Sequence, residues 1–222
     1  MKLSERIYEI AKEIWPAYLE HPFLNEMAEG TLPIGKFKFY MLEDYVYLRD
    51  YVKIFAAIII NSNDFDEIRF LSDELGDTIG ETYRTHIPYM KKLGITNEDI
   101  ENVRPHIQST NYTGYMLSVA QSSDVLTGLV ALLNCSWGYA YAAQNMTRLH
   151  PHAVDNPDYG DWFKGYSCDE YLKTNQALID RIDFLAQNIS EERTQELCEI
   201  FKKCCYYDLS FWDMAYSNTY GL

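Results

Sequence analysis

The stretch IGKFKFYMLEDYVYLRDYVKIFAAIIIN, residues 34–61, decides the fold class of this 222-residue chain. Its apolar residues recur at steps of three and four, which is the period of an α-helix. Pro33, just before it, suits the first turn of a helix because proline has no N–H to leave unpaired there. We therefore predict one long helix that is apolar over much of its circumference.

Helical periodicity extends from this stretch towards both ends of the chain. Asp64 with Glu67 forms a variant capping box, Thr96 with Asp99 opens another helix, and Gly94 supplies a C-terminal stop. The predicted helices span residues 3–18, 34–61, 64–93, 96 to about 105, 109–121, 124–148, 169–187 and 191–217, with an irregular segment around Pro151 and Pro157. Alternating runs of Val, Ile and Thr are missing, so we predict no strand. The prediction is an all-α fold, a single-domain helical bundle over residues 1–222.

Bulk composition argues against several classes of partner. The chain has 19 Lys and Arg against 33 Asp and Glu, a net charge of −14, which repels nucleic-acid phosphates and anionic membranes. The longest apolar run, IFAAIII at 54–60, is too short to cross a bilayer, and charges interrupt the N-terminal segment. Five cysteines without a CxxC motif fit reduced thiols. We expect a cytoplasmic protein with no nucleic-acid or membrane partner.

Polar side chains at helical spacing are the candidates for chemistry. The pairs that share a helical face are Cys135 with Tyr139, Asp44 with Tyr47, and Asp208 with Phe211. Tyr112 opens a further predicted helix, and Tyr166 is predicted to lie in the loop before the next one. A carboxylate among aromatic rings suits proton transfer, and a neighbouring hydroxyl or carboxylate can activate a thiol. The pattern indicates an aromatic-walled pocket in a helical bundle.

Each of these residues also has a plain structural interpretation, which the residues alone leave open. Cys135 fits a small buried hydrophobe, Asp44 fits a solvated helix position, and the tyrosines fit core residues with satisfied hydroxyls. Asp208 also fits a pairing with a nearby lysine. Glu-x-x-His pairs and phosphate-binding glycine loops are missing, and we interpret His86 and the HPH at 150–152 as ordinary histidines. We therefore expect neither a metal nor an organic cofactor.

Three segments resemble the thiaminase II family, the TenA-type aminopyrimidine hydrolases. They are HPFLNEMAEGTLPIGKFKFYMLEDYVYL at 21–48, LLNCSWGY at 132–139 and FWDMAY at 211–216, in matching order over almost the whole chain. The resemblance implies a heme-oxygenase-like helical fold, a homotetramer and a role in thiamin salvage. Such enzymes release 4-amino-5-hydroxymethyl-2-methylpyrimidine from the corresponding aminomethyl-pyrimidine, and some members also split thiamin itself.

The resemblance also implies a role for each matching residue. Cys135 matches the nucleophile that adds to the electron-poor pyrimidine, and Asp208 stands where the family has its proton donor. Asp44 matches the carboxylate that hydrogen-bonds the ring amino group. The other positions implied to bind substrate are Tyr47 and Tyr112 near the thiol, the hydroxyls of Tyr139 and Tyr166, and the ring of Phe211.

One position departs from the family pattern. The usual proton donor is a glutamate in a YYE-type segment, whereas this chain reads YYDLSF at 206–211. The shorter Asp208 withdraws the carboxyl by about one C–C bond, roughly 1.5 Å. A misplacement of that order can cost on the order of 10²-fold in a positioned reaction, so we expect a changed rate or preferred substrate rather than a changed fold. The alternative is a non-catalytic pyrimidine-binding or regulatory relative of the same fold.

Overall fold

The computed structural model describes residues 1–220, which are helical nearly throughout and contain no strand. The helices are α1 Leu3–Ile14, α2 Pro16–Glu20, α3 Pro22–Glu29, α4 Ile34–Ile60, α5 Phe65–Glu81, α6 Ile87–Lys92, α7 Asn97–Asn102, α8 Ile107–Ser122, α9 Val125–Leu149, α10 Gly160–Ser167, α11 Asp169–Leu185 and α12 Glu191–Ser217. A π-helical turn, Thr82–His86, precedes α6, and a 3₁₀ helix, Pro151–Asp155, follows α9. The all-α prediction is confirmed.

The helices divide into two compact units. Unit 1 comprises Met1–Leu32 and Leu129–Trp212, and unit 2 comprises Pro33–Gly128 and the residues from Asp213 on. The assignment of residues 1–222 to one domain remains a prediction.

Unit 1 has an aromatic core. Helix α11 packs against both α1 and α10. The largest fully buried side chains of this unit are Trp15, Tyr18, Phe23, Phe163, Phe201 and Trp212. Burying a large aromatic side chain removes roughly 150–250 Å² from water, so these six residues dominate the packing energy of the unit.

Unit 2 is built on α4, which packs against α5 and α8. The broad apolar face predicted for this helix is buried, and it carries Glu43, which is 1% exposed. Each carboxylate oxygen of Glu43 lies 3.1 Å from the backbone N–H of His106, the residue that precedes α8. A buried carboxylate is costly unless it is hydrogen-bonded, and here it satisfies an unpaired N–H at a helix N-terminus. Burial nevertheless raises the pKa of Glu43 above its ordinary value.

Prolines account for the differences between the predicted and the observed helices in the N-terminal region. The single helix predicted over residues 3–18 ends at Trp15 and restarts at Pro16, because proline cannot supply the N–H that continues a helix. A separate helix, α3, begins at Pro22, where His21 Nδ1 accepts the backbone N–H of Phe23 at 3.1 Å. It ends at Gly30, whose φ of 74° suits glycine. The sequence analysis left this helix unassigned.

A third proline divides the helix predicted over residues 64–93. Asp64 caps α5 as predicted, accepting the backbone N–H of Glu67 at 2.9 Å. The chain then widens into the π-helical turn, in which the N–H of Ile87 bonds to the carbonyl of Thr82 five residues earlier. Pro88 follows at the start of α6. Such π-turns are frequent at functional sites.

The segment predicted to be irregular after α9 instead contains the 3₁₀ helix and α10. Gly160 begins α10 so close to the carbonyl of Val154 that a Cβ atom there would collide with it. Glycine is therefore required by a tertiary contact that local periodicity does not reveal.

Helix α9 is long and apolar enough to cross a membrane by length and composition, and it is the one such helix in residues 1–220. Most of its apolar window is nevertheless buried inside the protein, as in the core helix of a globular domain.

Candidate active site

Cys135 is the half-buried cysteine of the chain. Cys198, Cys204 and Cys205 are buried, and Cys168 is exposed. Burial raises the pKa of the Cys204 thiol well above its ordinary value, and the charges of Asp208, Cys205 and Cys135 raise it further. A buried thiol with a raised pKa is inert as a nucleophile, so Cys135 is a better candidate than the three buried cysteines.

Asp208 is buried in the core of unit 1, with 2% of its surface exposed. The side-chain amide of Asn134 donates to Asp208 Oδ2 at 2.5 Å. The hydroxyl of Tyr18 lies 3.4 Å from the same oxygen. Phe211, one turn further along α12, is 3% exposed. The carboxyl is therefore held by a fixed amide donor in a buried position.

Four aromatic rings of unit 1 form a cluster, which we call the aromatic wall: Tyr139, Trp162, Tyr166 and Trp212. The centroid of Tyr139 lies 5.1 Å from Tyr166, 5.8 Å from Trp162 and 5.6 Å from Trp212. Trp162 and Tyr166 are 4.9 Å apart. Tyr139 and Tyr166, two of the predicted substrate-binding residues, thus lie side by side, next to Trp162, which the sequence analysis did not select.

The predicted position of Tyr166 in a loop is wrong. The residue lies in α10, on which Trp162 stands one turn earlier. The two prolines that made this segment look irregular are followed by a helix because Gly160 permits the close approach described above. From α10 the Tyr166 ring lies edge-on to Tyr139, with the ring centroids 5.1 Å apart.

Unit 2 carries the other group of predicted residues. Asp44, Tyr47 and Tyr112 are 4%, 3% and 1% exposed. The rings of Tyr47 and Tyr112 lie 5.4 Å apart, and the Tyr47 hydroxyl lies 3.9 Å from the Met116 sulfur. The interpretation of Asp44 as a solvated helix position is therefore wrong.

Asp44 has an ionisable partner that the sequence analysis missed. Nε2 of His86, in the π-helical turn, lies 3.1 Å from Asp44 Oδ2. Burial alone would lower the pKa of His86, but the hydrogen bond and charge of Asp44, with the charge of Glu81, outweigh it and raise that pKa above its ordinary value. The sequence indication was Pro88 inside a helical pattern, which marks the turn that places His86 against α4.

Comparison with known proteins assigns this arrangement to a family. The model of the TENA/THI-4/PQQC family matches residues 9–218. This chain belongs to the TENA/THI-4/PQQC family. The resemblance found in the sequence is thereby confirmed.

Relatives in this family match the chain over its whole length. The aminopyrimidine aminohydrolase of Helicobacter pylori is 33% identical over 98% of this chain and 100% of its own length. That of Halalkalibacterium halodurans is 36% identical over 98% of this chain and 97% of its own. Among solved structures, a TenA homologue from P. horikoshii OT3 superimposes with a TM-score of 0.87 at 29% identity, covering 98% of this chain and 99% of that one.

The fold implied by the resemblance is also confirmed. A protein from Shewanella denitrificans with a heme oxygenase-like fold superimposes with a TM-score of 0.79 at 15% identity, covering 98% of this chain and 93% of that one.

Across residues 1–220, no group of three or more His, Cys, Asp or Glu side chains is placed to hold a metal ion.

Proposed function

We propose that this protein is an aminopyrimidine aminohydrolase of thiamin salvage, which releases 4-amino-5-hydroxymethyl-2-methylpyrimidine from 4-amino-5-aminomethyl-2-methylpyrimidine. The observation that carries the proposal is that a buried acid, Asp208, accepts the side-chain amide of Asn134, the residue directly before the half-buried Cys135. The full-length similarity to two relatives named aminopyrimidine aminohydrolases supports it. The charge of −14 counts against the alternative of a regulator that binds nucleic acid.

Cys135 and Asp208 divide the chemistry between them. The Cys135 sulfur forms a bond to an electron-poor ring carbon of the pyrimidine and disrupts its aromaticity. The displaced ring electrons expel the amine from the exocyclic methylene, and the leaving nitrogen takes the proton of Asp208. Water adds to the methylene and returns a proton to the Asp208 carboxylate. The carbon–sulfur bond then breaks with its electron pair on sulfur, so the net change is aminomethyl-pyrimidine plus water to the alcohol plus ammonia.

The remaining predicted residues bind the flat ring. Asp44, oriented by His86 at 3.1 Å, accepts a hydrogen bond from the ring amino group. The contact with His86 holds the Asp44 carboxyl in place for this hydrogen bond. The aromatic rings contribute apolar contact, with hydroxyls at their edges. These rings are Tyr47, Tyr112, Tyr139, Tyr166 and Phe211.

Turnover of the aminomethyl-pyrimidine by the purified protein, with thiamin assayed in parallel, tests the proposal. Cys135→Ser is expected to lose at least about 10²-fold in turnover because the hydroxyl is a far weaker nucleophile than the thiolate. Cys168→Ser is the matched control, since Cys168 is exposed. A Cys135→Ser rate within about tenfold of wild type would rule out the nucleophile. Equal rates with and without chelator would separate this chemistry from metal-dependent chemistry.

We also propose a cytoplasmic homotetramer. Ile60 and Phe65, which flank the turn between α4 and α5, are 82% and 90% exposed. Two exposed large apolar side chains at one turn are candidates for a contact with another chain. Light scattering should give 4 × 26.0 kDa, or about 104 kDa, rather than the mass of one chain.

A further inference from the structure

We infer that Asn134 is a positioning residue that fixes which oxygen of Asp208 delivers the proton. The inference rests on the proposed function, because it assigns a role to Asn134 only if Asp208 is the acid. Asn134 directly precedes Cys135 on α9 and is fully buried. It is 74 residues from Asp208 in sequence, and their contact lies within unit 1.

The orientation of the Asn134 amide follows from its neighbours. Its oxygen accepts the indole N–H of Trp15 at 3.2 Å and the thiol of Cys205 at 2.9 Å. An indole nitrogen can only donate. Burial raises the pKa of the Cys205 thiol far above its ordinary value, so the sulfur keeps its proton and also donates. If the amide were flipped, its N–H groups would point at the two donors, Trp15 and Cys205, and no hydrogen bond could form there. The side-chain nitrogen of Asn134 must therefore point towards Asp208.

The other side of the amide is equally constrained. One N–H bonds to Asp208 Oδ2 at 2.5 Å, and the nitrogen lies 3.5 Å from the Tyr18 hydroxyl oxygen. That hydroxyl donates to the carbonyl of Cys205 at 2.9 Å. Burial, followed by the charge of Asp208, raises the pKa of Tyr18 well above its ordinary value, so this donor is permanent. Each donor of this network therefore has an acceptor.

Gly138 leaves room for the carboxyl to lie close to α9. Gly138 stands one turn after Asn134, and a Cβ atom there would lie 3.3 Å from Asp208 Oδ2 and 3.1 Å from a ring carbon of Tyr18. Because Oδ2 accepts the Asn134 N–H, a proton on Asp208 resides on Oδ1. The amide thus assigns Oδ2 as the anchored oxygen and Oδ1 as the one that gives up the proton.

A double-mutant cycle tests the inference. Asn134→Leu removes the donor at similar volume, and kcat for the aminomethyl-pyrimidine should fall about 10²-fold while KM stays within about threefold. In an Asp208→Ala background the same substitution should change kcat by less than about threefold, because Asn134 acts only through the carboxyl. Asn134→Gln, which retains an amide donor, should recover part of the loss. Asn145→Leu, which removes a half-buried amide elsewhere on α9, is the control and should leave kcat unchanged.

Thermal unfolding and binding of the hydroxymethyl-pyrimidine establish that each variant is folded. If Asn134→Leu does not fold, Trp15→Phe takes its place, since it removes one of the two donors that orient the amide. A folded variant with near-normal kcat overturns the inference, and so does an equal loss in both backgrounds, which would indicate a purely structural role. If Asp208→Ala itself turns over at the wild-type rate, the proposed acid is wrong and the inference falls with it.

Discussion

Replacing Asp208 with asparagine separates its chemistry from its contribution to folding. The new side chain has nearly the same shape, and its carbonyl oxygen can still accept the Asn134 N–H now found at 2.5 Å. Because Asp208 carries its proton as the acid, the hydrogen bond is neutral before and after the substitution, and the cost is at most about 1 kcal/mol of stability. For a chain of this length, that corresponds to a Tm lower by about 2–4 °C.

The effect on turnover should be far larger. General acid catalysis contributes about 10²–10⁴-fold, so Asp208→Asn should lose that factor in kcat, equivalent to about 2.7–5.4 kcal/mol of transition-state stabilisation. Asp208→Ala should lose a similar factor in kcat and more stability, about 1–3 kcal/mol, because it leaves the Asn134 N–H unpaired in the core.

Steady-state kinetics on release of the pyrimidine alcohol, with thermal unfolding of the same samples, measures both quantities. Asp180→Asn is the control, because Asp180 is exposed on α11 and accepts a hydrogen bond from Gln176 at 2.8 Å. Asp208→Asn within about threefold of the wild-type kcat would refute the reasoning, since another group would then supply the proton.

Three further outcomes are expected. The pKa of His86 is raised in the folded protein, so its pairing with Asp44 stabilises the fold below about pH 6.5 and loses that effect as the pH rises through the folded pKa. The Tm of wild type should therefore exceed that of His86→Gln by less and less between about pH 6 and 9. A Tm difference that does not change with pH would contradict the raised pKa of His86. Burial, with Asp77 and Asp73 nearby, raises the pKa of Glu74 to about 7, so Glu74→Gln should raise Tm at about pH 8.5 and leave it unchanged at about pH 4. An equal change in Tm at both pH values would contradict the raised pKa of Glu74. Phe65→Asp should lower the mass seen by light scattering, and an unchanged tetramer would place the interface elsewhere.

Local patterns in the sequence determined the fold class and most of the helices. The predicted helix caps at Asp64 and Thr96 are confirmed, because each side-chain oxygen accepts the backbone N–H of the residue three positions later. These features involve residues three or four apart, which is why periodicity and capping rules detect them. The motifs that carry the family resemblance are likewise continuous segments, and the family match confirms them.

Tertiary structure decided what surrounds the predicted residues. Asn134 and Asp208 are 74 residues apart, and Asp44 meets His86, which lies in the π-helical turn before Pro88. The sequence provided Cys135 and Asp208 as candidates, but it gave no indication that an asparagine beside the cysteine would anchor the acid. A buried polar group must find a partner wherever packing places one, and the identity of that partner depends on which helices come into contact. Helical periodicity reports which face of a helix is buried, whereas the residue on the opposing helix is fixed only when the chain packs.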